Sequence, residues 1–147
     1  LSIRRQRQMC IRDSGYMPQD YDLILKNDLS PIAFLCKTGD KTEKEIISSH
    51  LANLNFSHDE MNHAISDLSG GQKGKLLLLH LVLEAPQLLI LDEPTRNFSP
   101  TSQPQVRQLF ENYPGAILTV SHDVNYLRQV CQKIYRLDSR GLEEVEI

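Results

Sequence analysis

The chain has 147 residues, of which 40% are hydrophobic and 24% are charged, and its formal net charge is −3. This composition is typical of one globular unit with a sizeable core. The slight acidity argues against a dedicated nucleic-acid surface, so we expect no DNA partner. No apolar run approaches the roughly 20 residues that a membrane span needs, so we expect no direct membrane insertion. The three cysteines match no metal or disulfide spacing.

Residues 1–14 differ in composition from the rest of the chain. They carry four arginines and no acidic residue before Asp13, a pattern that could form a basic arm for RNA or a membrane surface. We prefer another interpretation, because the string R-R-Q-R-Q-M-C-I-R-D-S resembles translated adapter sequence and the chain begins with leucine. We therefore predict that residues 1–14 are a non-native leader outside the fold and that the chain is incomplete.

The segment at residues 20–41 contains Asp, Asn, Gly and Pro and predicts mostly loop, with a short apolar piece at 31–36. Two capping boxes follow it, T-E-K-E beginning at Thr42 and S-H-D-E beginning at Ser57. In such a box the first and fourth residues each bond the backbone N–H of the other, which favours the start of a helix. The predicted helices span 42–53 and 57–66.

A glycine turn, L-S-G-G-Q at residues 68–72, precedes an apolar run at 76–83 that only His80 interrupts. Ser69 is a good helix N-cap, and the glycines would let a ligand approach the backbone closely. The free N–H groups at a helix N-terminus attract anions. The helix is apolar nearly all round, which predicts that it is buried. A turn of this kind alone would equally suit an ordinary capped core helix.

An apolar strand is predicted at residues 87–91, Q-L-L-I-L, directly after Pro86. Such a run is typical of a strand that is buried on both faces of a parallel sheet. Asp92 and Glu93 follow at its carboxyl end, where open α/β sheets bind their ligands. One carboxylate there can hold Mg²⁺, and a second can orient an attacking water. On their own, two acids after a strand would also be explained as a solvated pair.

Together, these two motifs resemble the nucleotide-binding domain of the ABC ATPase superfamily. L-S-G-G-Q resembles its signature motif, and L-L-I-L-D-E-P-T at residues 88–95 resembles its Walker B strand with the adjoining glutamate. Gln19 in Y-M-P-Q-D resembles the Q-loop, and His122 in S-H-D resembles the switch histidine. The four motifs occur in the order that the family has them.

The resemblance implies an α/β fold, a P-loop NTPase-like layered parallel sheet with a small helical subdomain at about residues 42–75. The second half of the sequence favours this fold independently, because predicted strands and helices alternate there. The predicted helices span 105–112 and 124–132. The predicted strands are a buried strand at 115–120, a strand at 133–137 and an edge strand at 141–147.

The sequence lacks a phosphate-binding P-loop, G-x-x-x-x-G-K-[ST]. The pair K-T at 37–38 follows a cysteine where glycine is needed, and the pair G-K at 74–75 is followed by leucine. In the family this loop lies upstream of the Q-loop. We therefore expect residues 15–147 to be a partial, N-terminally truncated domain whose principal ATP pocket is incomplete.

The resemblance also implies roles for single residues. In the family, two domains sandwich ATP head to tail, and the signature of one faces the P-loop of the other. Asp92 and Gln19 would then contact the nucleotide and hold Mg²⁺. Glu93 would polarise the attacking water, and His122 would contact the γ-phosphate. The residues that would bind the γ-phosphate held by the opposite domain are Ser69, Gly70, Gly71 and Gln72.

Other polar residues receive a plainer interpretation. The remaining histidines have no partner at ligand spacing and are predicted to be surface or helix-packing residues; they are His50, His58, His63 and His80. We expect Lys73 and Arg96 to be solvated, with a role at the neighbouring phosphate-facing turn as the alternative for Lys73. The loop T-R-N-F-S-P departs from the family pattern, because Ser99 stands where an aspartate usually closes the D-loop. Its part in communication between domains stays open.

Among ABC ATPases, L-S-G-G-Q-K together with D-E-P-T-R-N-F-S-P most resembles the second ATPase domain of ABC-F proteins. These proteins carry two such domains on one chain, so a second ABC domain is the expected partner. The resemblance further implies a cytoplasmic protein that acts on the ribosome in translation or antibiotic resistance. Two alternatives stay open, the ATPase subunit of a membrane transporter and a non-catalytic interaction module.

Overall fold

The computed structural model describes residues 14–18, 20–26 and 28–146, and within these ranges it contains five strands and six α-helices. The strands are β1 (Ser14–Met17), β2 (Leu88–Asp92), β3 (Ala116–Val120), β4 (Tyr135–Asp138) and β5 (Gly141–Glu144). The helices are α1 (Pro31–Leu35), α2 (Lys41–Asn53), α3 (His58–Asn62), α4 (Gly70–Glu84), α5 (Gln103–Glu111) and α6 (Val124–Val130). Two 3₁₀ turns lie at Tyr21–Leu23 and Ile65–Asp67. No helix in the described ranges is long and apolar enough to cross a membrane.

The predicted parallel sheet is confirmed. β1, β2 and β3 lie side by side with β2 in the centre, and both strand pairs are parallel. The register aligns Tyr16, Ile90 and Leu118 across the three strands. Because β2 and β3 run in the same direction, the segments that follow their carboxyl ends meet at one edge of the sheet. Residues 1–13 of the leader predicted at 1–14 lie outside the described residues, whereas Ser14, its last residue, is the first residue of β1.

Helix α4 forms the centre of the core, as its apolar sequence predicts. It contacts β1, α2 and α5. The four leucines at 76–79 are at most 1% exposed, and Leu89 and Leu91 of β2 belong to the same buried cluster. A helix that is apolar all round is stable only when other elements surround it, and here they do.

The predicted N-cap of α4 is also confirmed. Ser69 Oγ accepts a hydrogen bond from the Gln72 N–H (3.3 Å), and Gln72 Oε1 accepts one from the Ser69 N–H (2.8 Å), which completes a capping box. The helix ends at Glu84, since Ala85 adopts left-handed backbone with φ of 47° and Pro86 cannot continue a helix.

The face of the sheet that points away from α4 is exposed. The prediction that β2 is buried on both faces is wrong, because its alternate residues are only half-buried. On the neighbouring strands, Tyr16, Leu118 and Val120 are 52%, 60% and 63% exposed. The predicted burial of β3 is therefore wrong as well. Within the described ranges this face is open to solvent, although most of its side chains are apolar.

The later elements confirm the predicted alternation and the strands predicted at 133–137 and 141–147, but these two strands form a sheet of their own. Helices α5 and α6 correspond to the predictions at 105–112 and 124–132, with slightly shifted ends. Strands β4 and β5 pair antiparallel in a separate two-stranded sheet. The turn at residues 139–140 joins them directly, so they form a hairpin.

Helix α1 coincides with the short apolar piece predicted at 31–36, in a segment that the sequence predicted to be mostly loop. Ser30 caps the helix, because its Oγ accepts a hydrogen bond from the Ala33 N–H (3.3 Å). Pro31 occupies the first turn, where its missing N–H costs nothing and its fixed φ suits a helix. Five residues are too few to show apolar periodicity, and the S-P pair was the available signal.

The caps of the next two helices differ from the predictions in one case. Asp40 caps α2 by accepting a hydrogen bond from the Glu43 N–H (2.7 Å), so the predicted capping box at Thr42 is wrong. The predicted box at Ser57 is confirmed. The prediction extended this second helix to residue 66, whereas α3 ends at residue 62 because His63 adopts extended backbone.

Glu43 organises the turn that precedes α2. Its carboxylate accepts hydrogen bonds from the N–H groups of Lys37, Thr38 and Gly39 at 2.8–2.9 Å and from Thr38 Oγ1 at 2.7 Å. The bond from Lys37, followed by those from Thr38 and Gly39, lowers the pKa of Glu43 from 4.5 to about 2. Bonds of this kind favour the charged form of the carboxyl group.

This depressed pKa predicts acid sensitivity in a defined range. A carboxylate whose pKa is lowered by folding stabilises the native state above its unfolded pKa, and this contribution is lost as the pH falls from 4.5 toward 2. We expect the free energy of unfolding to fall across this range, and Glu43→Gln to flatten that part of the profile. Urea titrations from about pH 6 down to about pH 2 would measure both curves.

Glu45→Gln is the matched control, because Glu45 lies on the same helix and its ion pair with Lys41, at 3.9 Å, is exposed. A Glu43→Gln profile that keeps the full acid-dependent loss would contradict the role given to Glu43.

Candidate functional site

The glycine turn lies at the N-terminus of α4. Gly71 faces the loop after β2, and a Cβ atom at this position would lie 3.2 Å from the carbonyl oxygen of Asn97. Gly70 is exposed, and a Cβ atom there would have no neighbour within 4 Å. Packing therefore explains the glycine at 71. The glycine at 70 instead leaves the first helical turn bare, so that an anion can reach its N–H groups.

Gly74 lets the second turn of α4 pack closely against the same loop. A Cβ atom at this position would lie 3.0 Å from the Phe98 ring and 3.1 Å from Tyr21. Phe98 is itself buried. The two motifs identified in the sequence are therefore in contact, because the helix behind the glycine turn rests on the loop that follows Asp92 and Glu93.

Glu93 stands in a strained position directly after β2. Its φ is 49°, in the left-handed region that costs non-glycine residues about 1–3 kcal/mol. Its backbone N–H donates to the carbonyl oxygen of Val120 (2.8 Å), so the last residue of β3 holds this turn in place. Asp92, the last residue of β2, is half-buried and pairs with the same residue in the sheet.

His122 lies beside the Glu93 carboxylate. Its backbone N–H donates to Glu93 Oε1 (3.1 Å), and its Nε2 lies 3.7 Å from the same oxygen. The Glu93 side chain is 19% exposed and the imidazole 98% exposed, so the pair faces solvent on the histidine side. The structure thus brings together the two residues predicted to be catalytic. A carboxylate can orient a water here, and an imidazole can contact an anion.

A hydrogen bond between two loops that are distant in sequence fixes this pair. Asp123 Oδ1 caps α6 by accepting from the Tyr126 N–H (3.1 Å), and Asp123 Oδ2 accepts from Thr95 Oγ1 (3.1 Å). Thr95 is 2% exposed. The bond ties the loop that carries Glu93 to the loop that carries His122. An aspartate before a helix is an N-cap signal, but its partner in a distant loop leaves no mark in the sequence.

Lys73 is paired, so the prediction that it is solvated is wrong. Its Nζ lies 2.8 Å from Asp22 Oδ1, and its side chain is 16% exposed. The neighbouring Tyr21 hydroxyl accepts a hydrogen bond from Asn97 Nδ2 (2.9 Å). These contacts hold the segment after the predicted Q-loop against α4 and the loop after β2. An open pocket beside them is lined by Asp20, Tyr21, Asp22, Leu68, Gly70, Gly71, Lys73 and Asn97.

The plainer predictions for other residues are confirmed where the structure describes them. His80 packs its ring 4.9 Å from the ring of Phe34, and burial lowers its pKa. His58 and His63 are exposed, and so is Arg96.

Ser99 serves a local turn in this chain. Its Oγ donates to Ser102 Oγ (3.0 Å), and its carbonyl oxygen accepts from the Ser102 N–H (2.8 Å). Ser102 is buried and directly precedes α5. The side chain that stands in place of an aspartate therefore helps to start the next helix.

Asp92 suits the role of a single carboxylate ligand for Mg²⁺. This ion is usually held by one or two carboxylates together with phosphate oxygens and waters. The described part of the chain contains no group of three or more His, Cys, Asp or Glu side chains that could hold a metal ion by itself. A cation at Asp92 would therefore need a bound phosphate. Gln19, the other predicted ligand, lies outside the described residues.

The known proteins to which this chain is similar are named as ABC or ATP-binding proteins. The family described as ABC transporter matches residues 2–96. The probable ATP-binding protein YheS of Haemophilus influenzae is 29% identical over 130 residues, which are 88% of this chain and 20% of that protein. The probable ATP-binding protein YbiT of Escherichia coli O157:H7 is 31% identical, over 84% of this chain and 23% of that protein. ABC transporter F family member 5 of Arabidopsis thaliana is 26% identical, over 88% of this chain and 19% of that protein.

The chain spans about a fifth of the length of these relatives. Among solved structures, the dimeric post-hydrolysis state of the ATP-binding cassette MJ0796 bound to ADP and Pi has a TM-score of 0.66 at 18% identity. The match covers 85% of this chain and 60% of that one. It confirms the predicted α/β fold class.

The Thr95–Asp123 hydrogen bond should make a measurable contribution to stability. Thr95→Val keeps the size of this buried side chain but removes its hydroxyl group, so that Asp123 loses a donor. We expect the free energy of unfolding to fall by about 1.5–3 kcal/mol, the usual contribution of a hydrogen bond to a charged group. Urea unfolding would measure it, and Thr95→Ser, which keeps the hydroxyl, is the control. Equal stability of Thr95→Val and the unmodified protein would show that the bond contributes nothing.

Proposed function

This chain belongs to the ABC transporter family of ATP-binding domains, and on that premise we propose that it forms part of an ATP-hydrolysing domain in an ABC-F type protein. The resemblance predicted from the motifs is confirmed, since the family match covers most of those motifs and the relatives include an F family member. The observation that carries the proposed activity is the pairing of Glu93 with His122 at the carboxyl end of the sheet.

The proposed chemistry follows from this pair. ATP hydrolysis depends mainly on positioning and on neutralising charge, not on covalent catalysis. The Glu93 carboxylate would accept a hydrogen bond from the attacking water and orient it toward the γ-phosphorus. The His122 imidazole, on the exposed side of the pair, would donate to an oxygen of the γ-phosphate. The bonds from the Glu93 N–H to Val120 and from Thr95 to Asp123 keep both loops in place, so little reorganisation is needed during the reaction.

ATP and Mg²⁺ are the cofactors of the proposed reaction. The first is the ligand common to the family, and the relatives YheS and YbiT are named as ATP-binding proteins. Asp92 and Gln19 would hold the ion beside the phosphates. When bound, Mg²⁺ supplies positive charge that neutralises the phosphate oxygens.

A second ABC domain is the proposed partner of the glycine turn. The turn formed by Ser69, Gly70, Gly71 and Gln72 would meet the γ-phosphate of ATP that this other domain holds. The bare first turn of α4 supports the proposal, because helical N–H groups without a side chain above them suit a phosphate oxygen.

For the parent protein we propose action on the ribosome, in translation or antibiotic resistance, and a cytoplasmic location. The F family relative and the motif D-E-P-T-R-N-F-S-P support this choice. The rival is an ATPase subunit of a membrane transporter, which the fold shared with a bacterial ABC transporter cassette leaves open. On their own, without the rest of the parent protein, these 147 residues would act only as an interaction module.

The 147 residues by themselves should show negligible ATPase activity, because the sequence contains no G-x-x-x-x-G-K-[ST] loop to cradle the phosphates. We expect phosphate release from the purified chain to equal that of Glu93→Gln and of the buffer. Turnover that requires Mg²⁺ and disappears in Glu93→Gln would overturn the proposal that the ATP pocket is incomplete.

In the complete reading frame, Glu93→Gln should bind ATP without completing hydrolysis, since an amide is a much weaker base than a carboxylate. We expect this variant to co-sediment with ribosomes only when ATP is present, with membranes assayed in parallel. Glu146→Gln, at an exposed carboxylate outside the site, is the control. Association with membranes and not with ribosomes would replace the ABC-F proposal by the transporter one. Undiminished hydrolysis by Glu93→Gln would remove Glu93 from its proposed role.

A further inference from the structure

The capping boxes of α3 and α4 are joined by a hydrogen bond. In α3, Glu60 Oε2 accepts from the Ser57 N–H (2.8 Å). In α4, Gln72 Oε1 accepts from the Ser69 N–H (2.8 Å). The Gln72 amide nitrogen then donates to Glu60 Oε1. One continuous chain of hydrogen bonds therefore runs from the start of α3 to the glycine turn.

Lys75 forms a second contact between α4 and an earlier helix, α2. Its Nζ donates to the carbonyl oxygen of Leu54 (3.0 Å), and the residue is only 7% exposed. Leu54 is the C-cap of α2, where the helix dipole favours a cation. Lys75 follows Gln72 by three residues, so both contacts lie on one side of α4.

These bonds determine which N–H groups the glycine turn can offer to a ligand. The first N–H groups of a helix have no partner inside the helix. Here Gln72 Oε1 engages the Ser69 N–H, and Ser69 Oγ engages the Gln72 N–H. The N–H groups of Gly70 and Gly71 are the ones left for an anion. The Gln72 side chain has both ends bonded within the chain, so it acts on the shape of the turn.

We propose that Glu60 is a positioning residue for the glycine turn. By holding the Gln72 amide, it fixes the direction in which Gly70 and Gly71 present their N–H groups to the phosphate held by a second domain. This inference rests on the proposed function and deepens it, because it gives α3 a part in nucleotide recognition. Glu60 touches neither nucleotide nor water in this role; it acts through Gln72.

A reciprocal exchange of the two side chains isolates the bond between them. Gln72→Glu keeps an acceptor for the Ser69 N–H but replaces the donor toward Glu60 with a second carboxylate. Glu60→Gln leaves a single carbonyl oxygen for two donors. The double variant Glu60→Gln/Gln72→Glu restores all three bonds, because the new amide can donate to the new carboxylate and each side chain still accepts from its own cap.

The experiment measures ATP hydrolysis by the complete reading frame. We expect Gln72→Glu to lower kcat by about tenfold, the effect of losing one hydrogen bond to a charged group, with a smaller change in KM for ATP. The double variant should recover to within about threefold of the unmodified protein. Asp59→Asn removes the neighbouring exposed carboxylate of α3 and should leave kcat unchanged. Urea unfolding of every variant ensures that rates are compared between folded proteins.

The outcomes separate this inference from the function on which it rests. Rescue of kcat by the double variant supports the positioning role, since a purely structural bond would restore stability without changing the rate of the folded enzyme. Unchanged kcat in folded Gln72→Glu would overturn it and leave the proposed function intact. Equal loss in Gln72→Glu and the double variant would also overturn it, and would indicate that Gln72 contacts the nucleotide itself. An unmodified protein that does not hydrolyse ATP would overturn both.

Discussion

The close approach of α4 to the loop after β2 is the constraint on which the rest of this structure depends. The absence of a Cβ atom at Gly71 and Gly74 lets the helix pack closely on Asn97 and Phe98, since a Cβ atom would lie 3.2 Å and 3.0 Å from them. The buried leucines at 76–79 then fix the same helix in the core. The glycine turn and the loop after the β2 carboxylates are therefore in direct packing contact, and a change in core packing would reach both of them.

The parallel arrangement of β2 and β3 has a comparable effect on the other half of the site. Because the two strands end side by side, short hydrogen bonds can join the loops that follow them. Glu93 bonds to the end of β3 through its backbone and to His122 through its carboxylate, and Thr95 bonds to Asp123. The unfavourable backbone angle of Glu93 persists because these bonds surround it.

The sequence was informative where structure depends on neighbours along the chain. The Ser69 cap, the buried helix behind it and the alternation of strands and helices follow from local pattern, and all are confirmed. Contacts between distant segments could not be predicted in this way, and the pairing of Lys73 with Asp22 is an example. Helix α1 was missed because it is short, and Asp40 takes the place of Thr42 as a cap.

Burial was the property that sequence pattern predicted least well, because it depends on what lies above a strand and not on the strand itself. The row formed by Tyr16, Ile90 and Leu118 crosses all three strands of the parallel sheet. Sheets of this kind are normally covered on both faces. Protein in which this row stays uncovered will self-associate through it. Self-association will increase with protein concentration and with added kosmotropic salt, without loss of the fold itself.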